Sequence, residues 1–271
     1  MQNPFLDIFR IDSLGKRIFS KAIFTILLLI KCSVSFFPLG DTDFTPFLVW
    51  FQNAVNDPNL LMTTTYDQLP LSIGNYIYIA HVALADFALI VGAMIYCGVY
   101  IRQYRKEHGL KDPGDSGYLI PPPFLKPIRV GNLILRIVIL SFCLLIIYVP
   151  AMIFVLYLFL VFLVIVPCIG MYPACYLSGD RGFFESFKEM VKVTQGYYLI
   201  NARFMSILLC VYFIGDWITT ALGQGIPAVG FVLGPLVGVI MALSFGRYVG
   251  IIYCRMREVP GGLIIRNHAS R

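Results

Sequence analysis

Charged residues are scarce in this chain. Only 13% of its 271 residues are Asp, Glu, Lys or Arg, whereas 58% are hydrophobic and the mean hydropathy is +0.79. Soluble domains carry roughly 25% charged residues. A chain so poor in charge cannot cover a globule of its size with polar surface, which excludes an ordinary soluble domain. Apolar runs of about 20 residues, the length that crosses the ~30 Å hydrocarbon core of a bilayer, recur along the chain and predict an all-α polytopic membrane protein.

Sequence signatures of common enzyme chemistry are missing as well. The chain has no GxxxxGK[ST], HExxH or GxSxG motif and no cluster of carboxylates or histidines. Its seven cysteines form no CxxC pair and lie within or at the ends of apolar runs, where cysteine is typically a small packing residue. These absences predict a protein without a catalytic site, a metal or a cofactor. An intramembrane lipid-modifying enzyme is a minor alternative, because membrane enzymes can build their sites without such motifs.

Six apolar segments are long enough to cross a bilayer. They lie at about 22–38, 75–101, 128–149, 151–177, 199–222 and 228–253. From Ile137 to Leu177 no residue is charged, which is about twice the length of one span. Pro150, in "YVPAM", is the clearest break within it, since proline removes a backbone donor. Taken locally, this stretch is either two helices joined by a tight turn or one broken helix.

The distribution of basic residues decides between these two alternatives. Lys and Arg concentrate in loops on the cytoplasmic side of a membrane. They occur before the first segment, in the Pro/Gly-rich loop 102–127, in 181–192 and after the sixth segment, whereas the loop 39–74 has four Asp and no Lys or Arg. Only six spans place all basic segments on one side, so we predict a single domain of six transmembrane helices with both termini in the cytoplasm. A signal peptide cleaved near Ser33 is the alternative for the first span, and Lys31 within the apolar run argues against it.

The stretch Gly179–Tyr198 is polar although apolar runs flank it on both sides. Its apolar and charged residues fall on opposite faces of a helix: Phe183, Phe187, Met190 and Val191 against Glu185, Lys188, Glu189 and Lys192. This pattern predicts an amphipathic helix at about 180–196, lying at the cytoplasmic headgroup boundary between the fourth and fifth spans. Such a helix either connects two spans or docks a partner. A second interfacial helix, Thr45–Val55, is predicted in the outer loop, as an aromatic anchor or as a lid over a cavity.

The run "FFESFKEMVKVTQGYYLI" followed by an apolar span resembles an element of bacterial membrane proteins. These include the membrane domain attached to glycerophosphodiester phosphodiesterases and proteins of the YciC and YesL kind. The matching positions are Ser186, Phe187, Lys188 and Gly196, and the closing "GPLVGVIMALSFGRYVGIIYCRMRE" is similar too. The resemblance covers the last third of the chain, and no phosphodiesterase domain accompanies it. It implies a location in the bacterial cytoplasmic membrane and implies no particular reaction.

The sixth apolar segment carries a small residue at every fourth position. The row consists of Gly230, Gly234, Gly238, Ala242, Gly246 and Gly250. Small residues at this spacing let helix backbones approach closely in lipid. Four residues advance about 40° beyond one full turn, so the row winds around the helix. We therefore predict that it packs against several neighbours in the same chain, with a homodimer seam as the alternative.

Five ionisable residues fall inside the predicted spans. They are Lys31, Asp86, Arg136, Asp216 and Arg247. Such residues are costly in lipid and usually face the interior of the helix bundle. Lys31 is predicted to pair with Asp86 or Asp216, either to fix helix packing or to form a path for protons or substrate. Arg136 and Arg247 lie close enough to the cytoplasmic ends of their spans to snorkel.

These features predict a non-enzymatic accessory or scaffold subunit of a membrane complex. Its basic cytoplasmic face and amphipathic helix would contact a membrane protein partner or a second copy of the chain. The alternative is a small permease or channel component that uses Lys31, Asp86 and Asp216. The net charge of +6 is concentrated in the cytoplasmic loops, so it indicates membrane orientation and not a nucleic-acid partner.

Overall fold

The computed structural model describes residues 8–11, 17–57, 60, 63–65, 68–107, 131–144, 146, 170–178, 182–194 and 198–258. Within these ranges the regular secondary structure is helical, without a strand. The helices are α1 (Arg17–Phe36), α2 (Thr45–Asn56), α3 (Ile73–Glu107), α4 (Gly131–Leu144), α5 (Tyr172–Ser178), α6 (Phe183–Thr194), α7 (Tyr198–Gly225) and α8 (Pro227–Glu258).

Four of these helices are long and apolar enough to cross a bilayer, namely α1, α3, α7 and α8. The prediction of an all-helical protein with membrane-spanning helices is confirmed at this level, and these four match the first, second, fifth and sixth predicted segments. The third and fourth predicted segments lie partly outside the described residues. The helices α4 and α5 fall within them, and the predicted break at Pro150 lies outside the described part of the chain.

The helix ends differ from the predicted segment ends for physical reasons. α3 continues through Arg102–Glu107, which the sequence placed in a loop, and α8 continues to Glu258. Hydropathy marks where the hydrocarbon ends, whereas a helix can continue as polar turns in the headgroup region. α1 ends at Phe36, two residues earlier than predicted, because Pro38 disfavours the helical conformation at the residue before it. α6 lies within the predicted 180–196, and residues 180–181 and 195–196 are outside the described part of the chain.

α8 is the central helix of the described bundle. It packs against α3, α7 and α1, and α1 also packs against α3. The N-termini of α1 and α7 lie at the same end of the bundle as the C-termini of α3 and α8. We call this end of the bundle the basic end, because it contains Lys21, Arg102, Arg203 and Arg255. The opposite end, where residues 37–72 connect α1 to α3, is called the loop end. The two ends therefore differ in charge as the ends of an oriented membrane bundle do.

The small-residue row of α8 meets different surroundings at successive levels. Near the loop end Gly230 meets Gly223 of α7, and a Cβ on Gly230 would lie 2.6 Å from the Gly223 Cα. Nearer the basic end Gly246 meets α3, and a Cβ there would lie 2.2 Å from the carbonyl oxygen of Ala93. The three positions between these levels line a cavity. The row thus packs against two helices and lines a cavity of the same chain.

Hydrogen bonds to one asparagine fix the connection between α1 and α3. The buried Asn75 amide donates to the carbonyl oxygens of Asp41 and Asp43, at 3.0 Å each, and its Oδ1 accepts from the Ser72 N–H at 2.8 Å. Gly40 precedes this network with φ +89, in the left-handed region that glycine adopts without steric cost. The loop end of the α1–α3 pair is therefore closed by local contacts.

The short helix α2 is little buried in the described chain. Only Ala54 is buried among its residues, and the ring of Phe47 stacks on Trp50 at a centroid distance of 5.7 Å. Asp43 lies before the helix, and its Oδ1 accepts from the Thr45 backbone N–H at 2.9 Å. The side-chain and backbone hydrogen bonds from Thr45 hold the pKa of Asp43 below its usual value. The carboxylate therefore stays charged at the start of α2, where a negative charge favours a helix.

Candidate functional site

A cavity of about 590 Å³ lies between α1, α3, α7 and α8. Each of the four helices contributes to its wall, for example Val34, Val82, Leu209 and Met241. Most of the described lining side chains are apolar, and the glycines of α8 leave room because they lack side chains. Small-molecule sites in proteins are typically mostly apolar cavities of about 300–1,000 Å³ with a few polar groups. The space thus has the size and the lining of a ligand site.

An ion pair crosses this cavity wall between α1 and α3. Lys31 Nζ donates to Asp86 Oδ1, and the two side chains are 23% and 17% exposed. The sequence left Asp86 and Asp216 open as partners for Lys31, and the structure joins Lys31 to Asp86. A charge within a membrane helix is costly when it is isolated and much less so when it is paired. The pair explains how α1 and α3 can both carry a charge within their apolar stretches.

Asp216 reaches the same cavity from α7. Its side chain is exposed, which corrects the expectation that it is buried. The physical reason is that α7 packs chiefly on α8, so most side chains around Asp216 have few neighbours in the described chain. Within the described residues no basic side chain forms a salt bridge with it. The cavity therefore holds a lysine and two aspartates from three different helices.

Two tyrosines and Ser35 add hydroxyl groups to the polar part of the lining. Tyr212 precedes Asp216 by one helical turn on α7, and Tyr212 is within electrostatic reach of both Asp216 and Asp86. Tyr78 lines the cavity from α3, eight residues before Asp86. Neither tyrosine is among the site residues predicted from the sequence. Their spacing of four and eight residues from the aspartates was the available signal, since such positions share one face of a helix.

The other two ionisable candidates lie away from the cavity and bind aromatic partners. Arg136 Nη1 donates to the carbonyl oxygen of Tyr176 at 2.9 Å, and its Cζ lies 4.8 Å from the centroid of that ring. Arg247 is 5% exposed, donates to the Tyr96 hydroxyl at 3.4 Å and lies 5.1 Å from the centroid of the Tyr100 ring. Arg247 is therefore buried, as expected of an ionisable residue in a span, and Arg136 is half-buried; cation–π contacts and hydrogen bonds hold both to aromatic residues of the chain instead of leaving them to snorkel.

The N-terminal segment 8–11 belongs to this basic end. Ile8 is buried in the core, and the Tyr96 hydroxyl donates to the carbonyl oxygen of Ile11 at 2.8 Å. Tyr96 thus contacts both the N-terminal segment and Arg247. No local pattern in the sequence predicts this contact, since the partners lie 85 and 151 residues from Tyr96.

The helix α6, which the sequence predicted to be amphipathic with two faces, presents three. One face is buried against the chain and consists of Ser186, Met190 and Thr194. A second face is apolar and exposed and consists of Phe184, Phe187 and Val191. The third face is charged and consists of Glu185, Lys188 and Glu189. Phe183 lies at the edge of the buried face, with its ring centroid 5.3 Å from that of Tyr172. The predicted apolar face is divided because three residues advance a helix by about 300°, which leaves Met190 about 60° away from Phe187.

Comparisons of the chain with protein-family models, with curated proteins and with solved structures found no match. The cavity with its three ionisable residues and the exposed apolar face of α6 are the two features on which a function can be based.

Proposed function

We propose that the protein is a multi-pass membrane protein that binds a small ligand in its four-helix cavity and moves it across the membrane, as a small permease or channel component. The observation that carries this proposal is the meeting of Lys31, Asp86 and Asp216 at one cavity. Helix packing alone accounts for the Lys31–Asp86 pair. It does not account for a third charged group at the same cavity, since each such group in a membrane helix carries a penalty of about 2.5–3.5 kcal/mol or more.

The lining favours binding over chemistry. The described lining residues include neither histidine nor cysteine, and their polar groups are carboxylates, an amine and hydroxyls. No residue of α2 is among them, which favours the aromatic-anchor interpretation of that helix over the lid. The charged groups are thus placed to hold a ligand within a mostly apolar space.

The proposal includes six spans with both termini in the cytoplasm. α3 ends and α7 begins at the basic end, so an even number of crossings must separate them. The uncharged stretch from 137 to 177 is long enough for two. The basic end would face the cytoplasm. The resemblance of the α6 region to bacterial membrane proteins supports a location in a bacterial cytoplasmic membrane.

Filling the cavity should remove the ligand without unfolding the protein. A Cβ at Gly234 meets no atom within 4 Å although Gly234 lines the cavity, so Gly234→Leu can project into the space without a clash at the backbone. We expect the full-length protein, purified from native membranes in mild detergent, to carry a small molecule that mass spectrometry identifies. Gly234→Leu should carry at least about tenfold less, because the added side chain occupies the site.

Gly225→Leu is the matched control for this experiment. A Cβ at Gly225 likewise meets no atom within 4 Å, and Gly225 lies at the end of α7 outside the cavity lining. The control should retain the ligand at the wild-type level. If Gly234→Leu carries as much ligand as Gly225→Leu, the cavity is not the binding site and the proposal fails.

A second candidate function is the accessory subunit, which the exposed face of α6 favours. Phe184, Phe187 and Val191 are 80%, 50% and 53% exposed and form a continuous apolar strip beside the charged face. Such a strip either lies in the headgroup region or contacts another membrane protein. The accessory-subunit proposal requires the second of these.

Phe187→Asp should release a protein partner if the strip is a docking surface. A carboxylate in the centre of the strip would be desolvated by any apolar partner, which costs several kcal/mol. Affinity purification from native membranes with quantitative mass spectrometry measures the loss. Lys188→Ala, on the neighbouring charged face, should leave the partner bound. A Phe187→Asp variant that retains every protein found with the wild type rules out docking through this strip.

A further inference from the structure

The cavity has an unbalanced charge that selects among ligands. Its described lining contains Lys31 against Asp86 and Asp216, one formal positive charge against two formal negative charges. We infer that the ligand is a monovalent organic cation with an apolar body, which deepens the proposed function and rests on it. Asp216 would hold the positive group, and the apolar walls would hold the body.

Charge complementarity identifies Asp216 as the binding group. Asp86 is already neutralised by Lys31, whereas no basic side chain of the described residues forms a salt bridge with Asp216. Opposite charges attract and like charges repel, so a carboxylate without a basic partner among the described lining residues favours a cation over an anion. An anion would be disfavoured, because the amine of Lys31 is already paired with Asp86.

The aromatic lining favours the same class of ligand. Tyr212, Tyr78 and Phe245 contribute rings to the cavity from three helices. Organic ammonium and phosphonium groups bind the faces of such rings by cation–π attraction. Tyr212 lies one helical turn from Asp216 on α7, so an aromatic ring and a carboxylate could contact the same cationic group.

The lining is poorly suited to a bare metal ion. Metal ions require several oxygen, nitrogen or sulfur ligands at short distance to replace their water. Within the described residues no group of three or more His, Cys, Asp or Glu side chains is placed to supply them. An organic cation needs one counter-charge and an apolar surface, and this cavity offers both in about 590 Å³.

Two ions of the same shape and opposite charge test this inference. Tetraphenylphosphonium and tetraphenylborate differ mainly in sign, so their affinities for the full-length protein in detergent separate charge from fit. By equilibrium dialysis we expect the phosphonium to bind at least about tenfold more tightly than the borate. Asp216→Asn should lower the phosphonium affinity by about tenfold or more and remove most of this preference, whereas Asp216→Glu, which keeps the charge, should retain it.

Controls separate the charge inference from the proposed cavity function. Asp57→Asn removes an exposed carboxylate outside the cavity and should change neither affinity. Equal unfolding temperatures of all variants show that the fold is retained. The cation inference is overturned if the wild-type protein prefers the borate or binds neither ion. It is also overturned if the Asp216→Asn variant binds the phosphonium as tightly as wild type. If Gly234→Leu still removes the native ligand, the proposed function survives that result; if Gly234→Leu leaves both native ligand and phosphonium bound, both proposals fall.

Discussion

Asp86→Leu should lower the free energy of unfolding by about 3 kcal/mol. The substitution leaves the Lys31 ammonium without the carboxylate that it donates to, inside a helix that is apolar on both sides. A charge that loses its partner in such surroundings must either stay poorly solvated or lose its proton, and both are unfavourable. Unfolding in mixed detergent micelles, followed by circular dichroism, measures the change.

The double variant Lys31→Met/Asp86→Leu separates the charge from the packing. It removes both members of the pair and should recover to within about 1 kcal/mol of wild type, since a paired charge can often be replaced by apolar residues of similar volume. The difference between the double variant and the sum of the two single variants gives the coupling energy. A double variant as unstable as Asp86→Leu would show that the residues act through packing and that the ion pair contributes little.

Gly246→Ala should destabilise the protein by about 3 kcal/mol, the upper part of the range for overpacked cores. The added Cβ would lie 2.2 Å from the carbonyl oxygen of Ala93 and 2.9 Å from its carbonyl carbon. These are backbone atoms in the middle of α3, so they cannot turn aside as a side-chain end can. α3 and α8 would have to separate along their contact. The yield of folded protein and its unfolding temperature report the effect.

Gly238→Ala is the matched control for this prediction. It is the same substitution in the same row of α8, two positions of the row closer to the loop end. The nearest atom to its Cβ is Leu89 Cδ1 at 4.0 Å, an ordinary van der Waals contact. We expect a change within about 0.5 kcal/mol, or a slight gain from the higher helix propensity of alanine. Equal effects of the two substitutions would contradict a specific α3–α8 contact at Gly246.

The partner of Lys31 shows where sequence reasoning stops. The cost of a charge in lipid predicted that Lys31 would be paired, and the positions of Asp86 and Asp216 along their helices allowed either one. Which aspartate pairs with Lys31 depends on how α1, α3 and α7 are rotated about their axes and on which of them are neighbours. The periodicity of residues within one helix determines neither. The same limit applies to Arg247, because hydropathy indicates distance from the membrane surface and contains no information on Tyr100.

The helix α6 and the end of α3 illustrate two further limits. The period of α6 predicted its helical form, but the burial of Met190 beside the exposed Phe187 depends on what α6 packs against. Arg102–Glu107 were predicted to leave the helix because they are polar. Their helical state follows from continuity with the turn before them and from hydrogen bonds that do not require an apolar environment. The cavity itself was not predicted, since it is a space between four helices and not a property of any segment.

The Lys31–Asp86 pair also has a consequence for how the chain is made. Its two residues lie on α1 and α3, which are synthesised before α7 and α8, and the network around Asn75 closes the loop between α1 and α3 with local hydrogen bonds. A helical hairpin of this kind can enter the bilayer as an electrically neutral unit before α7 and α8 leave the ribosome. Asp216 arrives later, on a helix inserted against a hairpin whose own charges are already matched. Within the described lining, the hairpin thus offers α7 no unpaired charge to match Asp216.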